Sequence, residues 1–300
     1  MSALLRIVLL VLLVGLGFAV ERQFFNDGAG FFPAKSPVPL PRIAGDEGSR
    51  AAYAISRGQM EMQLAAASSP DRLKAGKTEA GLLSGSLQLV LVTAPGWGDS
   101  AGQVQRYRRA LATLAWEKVG ASSPCVLGKA GLAAAGNPAG QPGTWPGKKD
   151  GDGKTPAGIF APAQAFGFKS EGQARDLGLK LPYAEVGDSL MCVSDPKSPQ
   201  FGRLAVPGGS RSPRGVNLAK AGEANKWGLL LGAYNQGQSP GPCLLVHMWD
   251  EPGKPTGGDI GCHEARMLEL LAWLDPSANP AVAILPAAEL DNVRAAWGLP

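Results

Sequence analysis

Leu87-Gln88-Leu89-Val90-Leu91-Val92-Thr93, closed by Pro95-Gly96, is the stretch on which the fold turns. An apolar, β-branched run that ends on turn residues predicts a buried strand. The folded domain starts with it. Downstream, residues 189–194, 228–234, 244–249 and 281–285 read the same way, with turn residues between them. The 300 residues include 41 glycines and 25 prolines, more than a fifth of the chain. Such usage disfavours a helical bundle and suits short strands joined by tight turns, so a mainly β fold is expected. Residues 103–110 and 114–119 are ambiguous. Val104, Arg106 and Arg108, then Leu114, Trp116 and Lys118, fit the faces of a hairpin, while 104–118 fits a single helix by propensity. The clearest helix is 264–274, where Ala265, Leu268, Leu271 and Ala272 recur at helical spacing before Asp275-Pro276 ends it. A second short helix is expected near the C-terminus, from Ala288 to Trp297.

The N-terminus carries a different signal. Arg6 precedes the apolar run 7–20, and Gly17 and Ala19 supply small residues where a signal peptidase needs them. Residues 1–24 read as a signal peptide or a membrane anchor, which predicts a periplasmic or secreted protein. The run is short for a membrane span of about 20 residues, and this favours cleavage over an inner-membrane anchor. Residues 25–85 read as a linker and poorly defined N-terminal segment, with a possible helix at 51–67. The domain proper then occupies 86–287, followed by a C-terminal helix over 288–300. A net charge of +4 is spread thinly, with Arg106, Arg108 and Arg109 as the one tight cluster. That balance gives no reason to expect nucleic acid as a partner.

The chain has two histidines, one 15 residues before Cys262 and one immediately after it. A thiol with an ordinary pKa near 8.5 is mostly protonated at neutral pH, so a nucleophilic cysteine needs an imidazole or another positive partner. His247 lies near the end of an expected strand, and Gly261-Cys262 precedes the expected helix 264–274. A helix N-terminus behind the thiol would lower its pKa and offer backbone N–H groups to an oxyanion. Gly261 would allow close approach of a substrate backbone. Taken singly, each residue has a bland alternative: a satisfied core histidine, an inert cysteine. Zinc is a weaker alternative, because adjacent ligands at 262 and 263 beside His247 and Asp259 suit a tetrahedral site poorly. If Cys262 stays reduced, Cys125, Cys192 and Cys243 form at most one disulfide in an exported chain. The pairing stays open, with Cys192–Cys243 favoured because both sit in or beside expected strands in the same half of the chain.

Val246-His247 followed by Thr256-Gly257-Gly258-Asp259-Ile260-Gly261-Cys262 resembles the His, spacer, Gly-Cys signature of the L,D-transpeptidase catalytic domain, also called the YkuD domain. Residues 149–160, reading KDGDGKTPAGIF, are similar to that family's GDGKTPAG segment. The blocks Ala165-Phe166-Gly167, Leu181-Pro182-Tyr183 and Cys192-Val193-Ser194-Asp195-Pro196 resemble those that follow it. A calcium loop over 150–161 is excluded, since Lys154 stands where an oxygen ligand is needed and Ala161 where a Glu is needed. What remains is a Gly-rich turn before a strand.

The resemblance implies a β-sandwich or barrel with one or two peripheral helices, and it favours strands over a helix at 103–119. It implies a cysteine acyltransferase acting on peptidoglycan stem peptides. Cys262 would be the nucleophile, His247 the base, and Gly261 with Cys262 the oxyanion donors. Tyr234 would contact substrate; Asp259 would orient His247 or join a substrate hydrogen bond, and Arg266, one helical turn beyond Cys262, would supply a cation for a substrate carboxylate. Neither metal nor organic cofactor is implied. The sequence departs from the common signature at Asp259, where Ser or Thr is usual, at Ile260, and at Glu264, which replaces an Arg. Two other readings stay open, the first because acceptor choice depends on pocket shape and the second because of those departures. One is an L,D-carboxypeptidase or secreted toxin with the same Cys-His pair. The other is a catalytically silent envelope protein that uses the fold to bind glycan strands or a partner. No role for His263 follows from the sequence.

Overall fold

The computed structural model describes residues 81–136, 142–207, 213–234 and 241–300, all inside the unit Pro70–Pro300. The signal or anchor expected at 1–24, most of the 25–85 segment and the possible helix at 51–67 lie outside the described residues. The expected opening strand is β1 (Gln88–Ala94), and it pairs antiparallel with β2 (Ala101–Arg108). β2 in turn pairs antiparallel with β3 (Glu117–Val126), so the ambiguous segment is a hairpin. Its helical propensity yields to the pairing edge that β1 presents.

The remaining elements follow in order. They are β4 (Leu132–Ala134), β5 (Thr155–Gly167), α1 (Glu171–Asp176), β6 (Tyr183–Glu185), β7 (Met191–Val193), β8 (Leu204–Ala205) and β9 (Gly215–Asn217). A 3-10 turn at Ala219–Asn225 leads to β10 (Trp227–Ala233), β11 (Leu244–Met248), β12 (Ile260–Cys262), α2 (Glu264–Trp273), β13 (Ala281–Pro286) and α3 (Leu290–Trp297). Eight strands pair in the order β10-β11-β12-β3-β2-β1-β13-β5, and β5 pairs back to β10, which closes a barrel. The protein is mainly β, with a few helices outside the sheet. β1–β13 and β11–β12 are parallel, and the other neighbours around the barrel are antiparallel.

Side chains alternate between the two faces of a strand, and the hydrophobic clusters follow that period. Val90, Val92, Phe160, Leu229, Leu231, Leu244, Val246, Ile260, Val282 and Ile284 share the barrel interior. An eight-stranded barrel is just wide enough for such side chains to fill it. Leu89, Leu91, Ile159, Ala281, Ala283 and Leu285 point outward and are covered by Val293 and Trp297 of α3. On another part of the outer wall, Phe166, Leu230 and Leu245 pack with Leu190, Cys192 and Leu218, which belong to or flank the small sheet β8-β7-β9. α2 lays Met267, Leu270 and Leu271 against the interior cluster. Leu83 is fully buried under the C-terminal helix, and the N–H groups of Leu82 and Leu83 donate to the carbonyls of Ala296 and Trp297. Among the described residues no helix is long and apolar enough to cross a membrane.

Cys192 and Cys243 form a disulfide, the pairing the sequence favoured. It ties β7 of the small sheet to the residue before β11 across a sequence separation of 51. By loop-closure entropy a link of that span contributes about 4 kcal/mol. Replacing both cysteines with serine is expected to lower the urea-unfolding free energy by about that amount.

Candidate functional site

β11 and β12 decide where the expected site residues stand. They run parallel, with Val246 beside Ile260, His247 beside Gly261 and Met248 beside Cys262. Paired residues share a face of the sheet. Val246, Ile260 and Cys262 all belong to the interior cluster, whereas Leu245 packs outside with the small sheet. His247 therefore shares the outer face with Leu245, and Cys262 faces inward. The pair that the sequence put together as nucleophile and base is divided by the sheet.

The two members of the expected dyad thus lie on opposite faces of the sheet, and the residues around them take positions that differ from the expected ones. Cys262 is the last residue of a strand, and the N-cap of α2 is His263. The thiol is buried, lies 3.8 Å from the Met267 sulfur, and burial pushes its pKa up to about 12. Gly261 and Cys262 lie on a strand paired on both sides, so they do not form an open oxyanion pocket. A Cβ on Gly261 would meet Val126 Cγ2 at 2.8 Å, so this glycine serves close packing. His263 acquires a structural role: its Nδ1 accepts the Ala265 N–H at 3.2 Å, which caps α2, and its ring meets Trp249 edge-on.

Two of the three expected substrate contacts lie elsewhere. Arg266 is on α2, bonded to Glu269 at 2.8 Å, beside the salt bridge of Arg106 with Glu269. Those side chains border a small interior cavity of about 30 Å³ that Cys262 also lines. The Tyr234 hydroxyl bonds Ser86 Oγ at 2.6 Å and packs against the cluster beneath α3.

Asp259 stands where the structure opens to solvent. It lines an open cleft of about 490 Å³ together with Lys148, Lys154, Ser194, Arg214 and Gly258. The Cys192–Cys243 disulfide forms part of its wall through Cys243. One Asp259 carboxylate oxygen accepts the Leu245 N–H at 2.9 Å, and the other lies 3.9 Å from His247 Nε2. His247 Nδ1 is 2.6 Å from the Met248 carbonyl. A carbonyl only accepts, so Nδ1 carries a hydrogen there, and Nε2 is the ring nitrogen turned towards Asp259. The gap of 3.9 Å is too long for a direct hydrogen bond. Burial raises the Asp259 pKa, His247 and the Leu245 N–H lower it, and the net position is above the ordinary carboxylate value.

The GDGKTPAG segment supplies the frame of this cleft. Asp152 binds Lys148 Nζ at 2.6 Å and the N–H groups of Lys149 and Lys154 at 2.9 Å. Burial raises the Asp152 pKa, but these donors outweigh it and hold the carboxyl below its usual range. Thr155 Oγ1 accepts the Gly128 N–H at 2.8 Å and donates to the Asp259 carbonyl at 3.1 Å. Thr256 Oγ1 donates to the same carbonyl at 2.6 Å. Gly258, with φ +148°, makes the bend that lets two threonines reach one oxygen, and a Cβ there would crowd the Lys154 carbonyl. Lys154 and Arg214, which the sequence did not single out, place two further cations on the cleft wall. Lys154 was visible as part of the motif. Arg214 carried no local signal, because it reaches the cleft through the tertiary position of β9.

Among the described residues, no three His, Cys, Asp or Glu side chains come together to hold a metal. Comparison with known proteins found no matching family model, curated protein or solved structure.

Two outcomes follow from the geometry. In folded protein whose Cys125 and Cys262 are reduced, alkylation of Cys262 is expected to be on the order of a thousandfold slower than for a free cysteine, given its raised pKa. His247→Ala is expected to leave that rate unchanged; iodoacetamide labelling followed by peptide mass spectrometry measures both. Asp259 has a folded-state pKa above its unfolded value, so its contribution to stability is fully present at low pH and is lost as pH rises through the folded pKa. Asp259→Asn, whose amide oxygen can still accept the Leu245 N–H, is expected to raise the melting temperature at neutral pH. The difference is expected to vanish below about pH 4, and thermal scans across pH test it.

Proposed function

We propose that this protein is an exported, L,D-transpeptidase-like domain that binds peptidoglycan stem peptides in the Asp259 cleft and forms no thioester with them. The observation that carries this reading is that His247 faces a carboxylate, Asp259, while the thiol of Cys262 lies inside the barrel. A protonated, desolvated thiol with no imidazole on its side of the sheet is a poor nucleophile. An imidazole beside a carboxylate can bind and share a proton, but it offers no acyl acceptor that would give a stable intermediate.

The cleft suits a small, charged peptide. Its volume falls in the roughly 300–1,000 Å³ range of small-ligand pockets. A stem peptide presents carboxylates and, on its diamino acid, a free amine. Lys154 and Arg214 match the carboxylates, and Asp259 matches the amine. Export is supported by the apolar run 7–20 behind Arg6 and by the Cys192–Cys243 disulfide, a bond that persists in oxidising compartments. The location that follows is periplasmic or secreted.

The test is calorimetric titration of the full chain with a tetrapeptide stem, combined with mass spectrometry of protein and peptide. Saturable binding is expected, with the peptide recovered intact and no mass added to Cys262. Asp259→Ala or Lys154→Ala is expected to weaken binding about tenfold, the loss of one charged hydrogen bond. Release of D-Ala or a cross-linked product, abolished by Cys262→Ala, would overturn the proposal in favour of acyl transfer by that thiol. D-Ala release without cross-linking would identify a carboxypeptidase.

A further inference from the structure

Two thiols in the barrel interior have no part in the cleft. Cys125 on β3 and Cys262 on β12 are both free and buried, and they stand directly opposite each other in an antiparallel ladder. Opposed residues in such a ladder have Cα atoms about 4.5–5.5 Å apart, inside the roughly 4.4–6.8 Å that a disulfide spans. Both side chains belong to the interior cluster, so they leave the sheet on the same face. Cys125 Sγ lies over Gly102, where a Cβ would come within 3.0 Å of it, and Cys262 Sγ rests against Met267 Sδ. Neither sulfur is held by a nitrogen or oxygen partner among the described residues, so rotation about each Cα–Cβ bond can bring them together.

The position matters as much as the proximity. The β3–β12 seam is the shortest around the barrel, with two paired positions, against seven for β2–β3 and seven for β5–β10. β12 itself has three residues and follows directly on Asp259. A barrel opens most readily where its ladder is shortest, because the fewest hydrogen bonds and side-chain contacts must be lost there.

We propose that Cys125 and Cys262 form a second disulfide, a covalent lock on the seam between β3 and β12. The two thiols give up two protons and two electrons as the sulfur–sulfur bond forms. A small disulfide such as glutathione disulfide takes up those electrons and is reduced to two thiols. The closed barrel excludes the oxidant, so the bond forms as β12 docks during folding or when the seam opens. The lock does not depend on what the cleft binds, and its failure would leave the stem-peptide reading untouched.

The experiment is to refold the reduced, denatured full chain in glutathione redox buffer, trap remaining thiols with N-ethylmaleimide in denaturant, and map the peptides by mass spectrometry without reduction. The expected result is a Cys125–Cys262 cross-linked peptide beside the Cys192–Cys243 one, with no labelled cysteine. The urea midpoint is expected to be higher for this species than for Cys125→Ser refolded in the same buffer, and the two are expected to converge when both are reduced. Recovery of Cys125 and Cys262 both labelled, with Cys192–Cys243 as the one bridge, would overturn the proposal. The wild-type peptide map decides between these outcomes even if a serine variant fails to fold.

Discussion

Pairing between β5 and β10 is the constraint on which the rest of the molecule depends. β5 runs for thirteen residues, long enough to pair with β13 through Gly158–Phe160 and with β10 from Phe160 to Gly167. Its ends also pair with β4 and β6. The ladder with β10 turns an open sheet into a barrel and removes the exposed edges that both strands would otherwise present. Close approach here requires Gly228, because a Cβ at that position would fall within 2.1 Å of the Phe166 ring. Once closed, the sheet has an inside and an outside, and each strand residue is committed to one of them.

That commitment governs the chemistry. The two-residue period of a strand means that a shift of one position exchanges the two faces. His247 and Cys262 are separated by this parity, although their backbones lie on neighbouring strands. A reactive cysteine needs a neighbour that stabilises the thiolate. Inside a barrel lined by Val90, Val92, Leu229 and Ile260 it finds desolvation instead. Asp259, one residue before β12, escapes the strand and turns into the cleft beside His247. Its backbone is held by Thr155 at the start of β5 and by Thr256. The cleft is therefore built from the ends of strands that also close the barrel, and its geometry is tied to the barrel's registration. The disulfide adds the outer wall by anchoring the small sheet beside it.

Much of the architecture was legible from composition and local pattern. The run at 87–93, the apolar segments at 228–234, 244–249 and 281–285, and the helix signals at 264–274 and 288–297 all correspond to elements of the barrel or its covering helices. These are long or strongly patterned segments, whose burial and turn chemistry are local properties. The 103–119 segment was not decided by its own residues, because a hairpin and a helix bury similar faces there, and the edge of β1 chose between them. β12 has no such signal in its own residues. Three residues, Ile260-Gly261-Cys262, carry no usable period, and their strand character comes from ladders on both sides.

By itself, then, the sequence determined a β-rich chain, the segments that become most of its strands and helices, and the importance of the neighbourhood 247–262 and of the GDGKTPAG turn. Those features reside in composition and short-range pattern. Tertiary structure alone decided that the sheet closes, that Cys262 points inward while His247 points out, and that Asp259 meets His247 beside Lys154 and Arg214. The physical reason is that facing is a property of strand register, and register is set by partners that lie far away along the chain.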